Sequence, residues 1–172
     1  MILPFAGIHP TIAADVFIAE TAVVIGNVEI GAESSIWYGC VVRGDVNTIR
    51  IGRRTNIQDG TVIHVSRQKF PTLIGSDVTI GHRALLHGCT LEDGCFVGLG
   101  ATVMDGAVVE SGAMVAAGAL ITPGKVVRRG ELWGGSPAKL LRSLNEAEAA
   151  GFATTVNNYV NLTKAYLADR RP

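Results

Sequence analysis

The sequence predicts an all-β solenoid, a parallel β-helix built from hexapeptide repeats, with a C-terminal α-helix. Three observations carry this expectation. Branched aliphatic residues recur every six positions along most of the chain. Aromatics make up only 6% of the 172 residues while 21 are glycine. That composition suits short strands and tight turns better than a bundle packed with large side chains. The C-terminal segment then changes to helical spacing.

The aliphatic series starts at Ile12 and continues through Ile18, Val24, Ile30, Ile36 and Val42. After a slip of three it resumes at Ile51, Ile57 and Ile63, and after an insertion at Ile74, Ile80 and Leu86. Leu91, Val97, Val103, Val109, Val115 and Ile121 complete it. Neither an amphipathic helix nor an alternating strand has a period of six; a hexapeptide solenoid does. Each hexad supplies one short strand and one corner. The aliphatic points inward, and a small residue four places on, such as Ala22, Cys40, Thr61, Ala84 or Cys95, fills the corner. Three faces make a coil, so the eighteen hexads predict about six coils, stacked about 4.8 Å apart.

The repeat body is expected over residues 1–125, a connector over 126–142 and a helix over 143–172, all within one domain. Ser143 and Glu146 have capping-box spacing. Val156, Tyr159, Val160, Thr163 and Leu167 form an apolar stripe that a solenoid flank would bury. The one clear inserted loop is SRQKFP, Ser66 to Pro71.

Lys plus Arg and Asp plus Glu balance at 15 each. No basic stripe calls for nucleic acid, and no polybasic run calls for an anionic membrane. No apolar run reaches the length of a membrane span, roughly 18 residues. The N-terminus, MILPFAGIHP, does not read as a signal peptide. Cys40, Cys89 and Cys95 are odd in number and lack a CxxC pair, which fits a reducing cytoplasm.

Three of the four histidines, His64, His82 and His87, fall within 24 positions. Dealing the hexads onto three faces places Ile63 and Leu86 on the third face, one coil apart. His64 and His87 follow them directly and therefore stack in one outward column, near enough to share a zinc ion. Arg43 occupies the same column one coil earlier. His82 lies two places after Ile80, on the second face, and points from a different wall. A neighbouring subunit in a closed ring of three would bring the two walls together. Asp59 shares the position of His82 one coil earlier, where a carboxylate can accept the free N–H of an imidazole. Gln58 can hydrogen-bond a metal ligand, and Arg43 with Asp45 can form an ion pair between subunits. Each of these also has an ordinary reading as a solvated surface residue. His9 has no partner in sequence.

These residues resemble the γ-class carbonic anhydrases, most closely their short bacterial members without an acidic loop. The motifs are RGD at Arg43–Asp45, NIQD at Asn56–Asp59, VIH ending at His64, and IGHRALLHGC containing His82 and His87. The resemblance extends over nearly the whole chain. It implies a left-handed β-helix, a homotrimer, and zinc (iron or cobalt in some members) held by His64 and His87 of one subunit and His82 of the next. It implies reversible hydration of CO2 to bicarbonate by metal-bound hydroxide. It makes Arg43 and Asp45 the interface ion pair, Gln58 the residue that positions the hydroxide, Asp59 a supporting carboxylate, and Tyr159 a tyrosine near the site. Two features depart from the family archetype. Val46 stands where a Glu follows the RGD-like motif, and SRQKFP carries no acid where the archetype has a proton-shuttling Glu. Three other readings share the repeat: a hexapeptide acyltransferase using a CoA thioester, a metal-dependent thioester hydrolase, and a non-catalytic trimeric scaffold with a structural metal.

Overall fold

The computed structural model describes residues 1–169. Short parallel strands stack into a β-solenoid of about seven turns, followed by one helix. The first face stacks Ile12, Ile30, Ile51, Ile74, Leu91, Val109 and Val127. The second stacks Ile18, Ile36, Ile57, Ile80, Val97, Val115 and Trp133. The third stacks Ile2, Val24, Val42, Ile63, Leu86, Val103 and Ile121. Every aliphatic from Ile12 to Ile121 falls on the face that counting by sixes assigns to it.

The expected six coils become about seven because the pattern continues past both of its apparent ends. Ile2 pairs with Val24 although it lies ten positions before Ile12, off the step of six. Beyond Pro123, Val127 and Trp133 keep the six-residue step and extend the first and second faces.

The core is a column of aliphatics, most of them fully buried. Polar corner residues are tolerated inside it because each hydrogen-bonds to a neighbouring coil. Ser34 Oγ donates to the Gly52 carbonyl at 2.8 Å, Thr55 Oγ1 to Gly75 at 2.8 Å and Thr61 Oγ1 to Gly81 at 3.1 Å. The slip of three after Val42 is absorbed without a corner. The strands Val23–Ile30 and Val41–Ile51 run from the third face onto the first; the three extra residues fall between Gly44 and Ile49, and the register partners Val28 and Ile49 are both buried.

Residues 126–142, expected as a connector, carry the strands Val126–Val127, Glu131–Gly135 and most of Ala138–Ser143. The last of these turns back antiparallel on Glu131–Gly135. Ser143 therefore pairs with Glu131 and does not cap the helix. The capping box is formed two residues later. Asn145 Oδ1 accepts the Glu148 N–H at 2.9 Å, and a Glu148 carboxylate oxygen accepts the Asn145 N–H at 3.0 Å.

The helix spans Glu146–Asp169; positions 170–172 of the expected helix lie outside the described residues. It packs along the second face. Val156, Val160 and Thr163 are buried as expected, Tyr159 and Leu167 only half-buried, and Phe152, absent from the expected stripe, is buried against Phe96 at 5.2 Å between ring centroids. Tyr166 meets Phe17 and Trp37 edge-on. No helix among the described residues is long and apolar enough to cross a membrane.

Candidate metal centre

The strands Val62–His64 and Leu85–His87 are adjacent rungs of the third face, and His64 and His87 are register partners. Their rings lie 5.2 Å apart between centroids, with His64 Nδ1 3.2 Å from His87 Nε2. Thr72 fixes both carriers from behind. Its hydroxyl donates to the His64 carbonyl at 2.6 Å and accepts the Gly88 N–H at 3.0 Å.

Each ring is also held on its far side by a carboxylate. Asp45 Oδ1 lies 2.9 Å from His64 Nε2, and Asp105 Oδ1 lies 2.5 Å from His87 Nδ1. A carboxylate only accepts, so in neutral rings these contacts assign the single proton to His64 Nε2 and to His87 Nδ1. The two nitrogens that face each other then carry lone pairs. Unprotonated nitrogens at 3.2 Å repel unless a cation lies between them. The separation matches the chemistry of a shared ion, because two nitrogens about 2.05 Å from a tetrahedral zinc stand about 3.3 Å apart.

Arg43 stands in the same column one coil before His64, and its guanidinium pairs with the second oxygen of Asp45 within one chain. Burial works against charge on Asp45. The hydrogen bonds from His64 and Arg43, with the charge of Arg43, outweigh it and hold the carboxyl below its usual range.

The remaining predicted residues belong to the second face. His82 sits at its outer corner, half-exposed, with Nδ1 2.9 Å from Asp59 Oδ2 one coil earlier. In a neutral ring that contact leaves the lone pair on His82 Nε2. Arg83 turns the chain immediately afterwards at φ 59°, and its N–H donates to the Asp59 carbonyl at 2.8 Å. Gln58 is buried on the same wall, its Nε2 donating to Asn56 Oδ1 at 3.0 Å. Tyr159 reaches this wall from the helix, edge-on to Trp37 at 5.5 Å. Its phenol is raised by burial first and by the charge of Asp59 second, which puts it within electrostatic reach of the His82 corner. Cys89 belongs to the core, and burial pushes its thiol up to about 12.

His82 and the His64–His87 pair thus occupy different walls. Among the described residues of one chain, no group of three His, Cys, Asp or Glu side chains is placed to hold a metal.

Asp105 and Thr72 are the site residues that sequence reasoning missed. Asp105 lies one coil after Gly88 in register. It reaches back to His87 because Gly88 has no side chain: a Cβ there would stand 2.4 Å from Asp105 Oδ1. The SRQKFP loop lies over the same spot. A Cβ at Gly88 or Gly106 would meet Phe70 at 2.9 and 3.0 Å, and Lys69 Nζ sits 5.0 Å from the Phe70 ring centre. The loop thus presents an aromatic wall where an acidic relay was sought.

A family model described as "Bacterial transferase hexapeptide (six repeats)" matches residues 9–44. Gamma carbonic anhydrase 2, mitochondrial, of Arabidopsis thaliana is 51% identical over 165 residues, covering 93% of this chain and 59% of that protein. Protein YrdA of Escherichia coli is 42% identical over 170 residues, covering 95% of this chain and 92% of that one. The chain belongs to the γ-carbonic-anhydrase-like hexapeptide-repeat family. A crystal structure of a hexapeptide transferase family protein from Anaplasma phagocytophilum superposes with a TM-score of 0.93 at 50% identity, covering 96% of this chain and 97% of that one. The match to this γ-carbonic-anhydrase-like family is lengthwise for YrdA, whereas the chain spans only about three-fifths of the plant relative.

Proposed function

We propose that this chain is a metal-dependent lyase that hydrates CO2 reversibly to bicarbonate. Its site would lie between subunits of a homotrimer, with His64 and His87 from one subunit and the partner subunit's His82 as third ligand. The observation that carries the reading is the pair of facing ring nitrogens 3.2 Å apart, each ring with a carboxylate against its other nitrogen, an arrangement suited to a shared cation. Apolar side chains flank both halves of the site. Val62 and Leu85 are 39% and 41% exposed beside the His64–His87 column, and Leu99 is 53% exposed one coil after His82. Exposed aliphatics around half-built ligand sets favour a subunit interface.

Zinc suits an all-imidazole set, with iron or cobalt as substitutes. Held by His64, His87 and the partner subunit's His82, it would supply a water nucleophile at neutral pH by lowering that water's pKa to about 7, an effect for which carbonic anhydrases are the standard instance. The chain's own residues do the rest. Asp45, Asp59 and Asp105 each hold the outer N–H of one imidazole and so aim its other nitrogen at the ion. Gln58, whose Nε2 donates to Asn56 Oδ1, would orient the attacking oxygen through its amide oxygen. Arg43 holds Asp45 in place. Tyr159 and Trp37 limit water on the His82 side. Val46 and the SRQKFP loop offer no carboxylate to export the proton, so turnover depends on buffer. Free buried cysteines at 40, 89 and 95 suit a reducing compartment such as the cytoplasm.

The test is stopped-flow CO2 hydration by the zinc-loaded protein beside His64→Ala. Hydration that disappears with the substitution and rises with imidazole concentration is expected. Activity surviving His64→Ala, or absent in every buffer, overturns the reading. An acyltransferase would keep its activity after chelation, so metal content separates that alternative. Hydrolysis of a CoA thioester in place of CO2 hydration, lost with His64→Ala, would assign the same site to a thioester hydrolase.

A further inference from the structure

We propose that Asp105 is a positioning residue of the metal centre, holding His87 in the one tautomer that presents Nε2 to the ion. This rests on the metal-centre reading above. The two histidines of the third face are next to each other, and this closeness is a hazard as well as an asset. If His87 carried its proton on Nε2, it would donate directly to His64 Nδ1 across 3.2 Å. The pair would then satisfy itself, and a metal would have to displace a proton from a finished hydrogen bond.

Asp105 prevents that closure. Its Oδ1 sits 2.5 Å from His87 Nδ1 and claims the ring proton on the outer side. Three features of the chain serve this one contact. Gly88 leaves empty the volume that Asp105 Oδ1 occupies, 2.4 Å from where a Cβ would stand. The Asp105 carbonyl accepts the Gly124 N–H at 3.0 Å, and the Gly106 N–H donates to the Gly88 carbonyl at 2.7 Å, so the backbone on both sides of the contact is fixed. Phe70, from the inserted loop, covers Gly88 and Gly106. An apolar cover lowers the local dielectric and strengthens the hydrogen bond beneath it. Asp45 does the same for His64, and Asp59 for His82. Asp105 completes a set in which every candidate ligand has its own carboxylate.

The experiment measures zinc affinity by chelator competition on the assembled protein, for wild type, His64→Ala, His87→Ala, Asp105→Ala, Asp105→Asn and the control Asp93→Ala. Asp93 also anchors a corner, accepting the Ser76 N–H at 2.7 Å, but touches no histidine. Loss of an orienting carboxylate costs roughly 10–100-fold in metal affinity. That loss is expected for Asp105→Ala, a smaller one for Asp105→Asn, whose amide oxygen still accepts, and none for Asp93→Ala. A second readout is the downfield proton of the His87 Nδ1–H in the zinc-loaded protein, expected in wild type and absent in Asp105→Ala. If Asp105→Ala binds zinc within twofold of wild type while the histidine variants lose it, the positioning role is wrong and the metal centre stands. If affinity is indifferent to His64→Ala and His87→Ala, the metal centre itself is wrong and the role of Asp105 falls with it. Equal losses in Asp105→Ala and Asp93→Ala would reduce Asp105 to a corner anchor and also refute the proposal.

Discussion

Gly88→Ala tests the arrangement around His87 without touching a ligand. Gly88 has φ +57°, where an alanine pays roughly 1–2 kcal/mol for the left-handed backbone. Its new Cβ would also stand 2.4 Å from Asp105 Oδ1 and 2.9 Å from Phe70 Cβ. The Asp105 side chain can escape only by swinging away from His87. That breaks a charge-assisted hydrogen bond worth about 1.5–3 kcal/mol, and the lower end applies because the Asp105 side chain is 30% exposed. Gly94→Ala is the matched reference, with φ +67° and nothing within 4 Å of its Cβ. It bears the backbone cost alone. The two variants should therefore differ by about 1.5 kcal/mol, which is about 0.7 M in urea midpoint for a slope near 2 kcal/mol per M. Gly88→Ala should also lose zinc affinity while Gly94→Ala keeps it. Coincident urea curves would refute the seating of Asp105 against Gly88.

Leu86→Ala removes a fully buried side chain from directly beneath the histidine column and should cost about 2–5 kcal/mol in urea unfolding; a loss below 1 kcal/mol would contradict a packed core there. The thiols should be silent in the native protein at pH 8: burial raises Cys40 to about 11, Cys89 to about 12 and Cys95 further still. Ellman's reagent should titrate all three only after denaturation, and fast native reaction of any one would show that its coil opens. The Glu148 carboxyl, held at about 2 by the Arg142 hydrogen bond first and by the Asn145 N–H second, is charged in the folded helix start at any pH above that. A lowered folded value means that its contribution is complete above the ordinary glutamate range and lost as pH falls toward 2. Protection of the first-turn amides, taken relative to the intrinsic exchange rate at each pH, should fall across that window in wild type and be lower and less pH-dependent in Arg142→Ala, which removes the larger cause; identical profiles would contradict the pairing.

Counting by sixes was enough to stack His64 on His87 and to send His82 to another wall, because a solenoid converts spacing directly into register. The counted series ends at Ile121 although Val127 keeps the step of six, because Trp133 after it is no branched aliphatic. Ser143 reads as a cap because nothing in the local pattern shows a strand reversing onto Glu131. Asp105 was missed for a similar reason. Its partner lies 18 residues back, and the contact exists only through the missing side chain of Gly88. The signal was available in principle: an acidic residue one coil after a His-Gly pair can lean over the glycine.

A parallel coil is, at its last rung, a ready template for another copy of itself. Here the terminal rung, Glu131–Gly135, is occupied on its second face by Ala138–Ser143 running the opposite way, with Lys139 and Arg142 along it. A first rung arriving from another molecule would meet reversed polarity and positive charge. On that face the reversed strand works as a stop codon written in backbone direction.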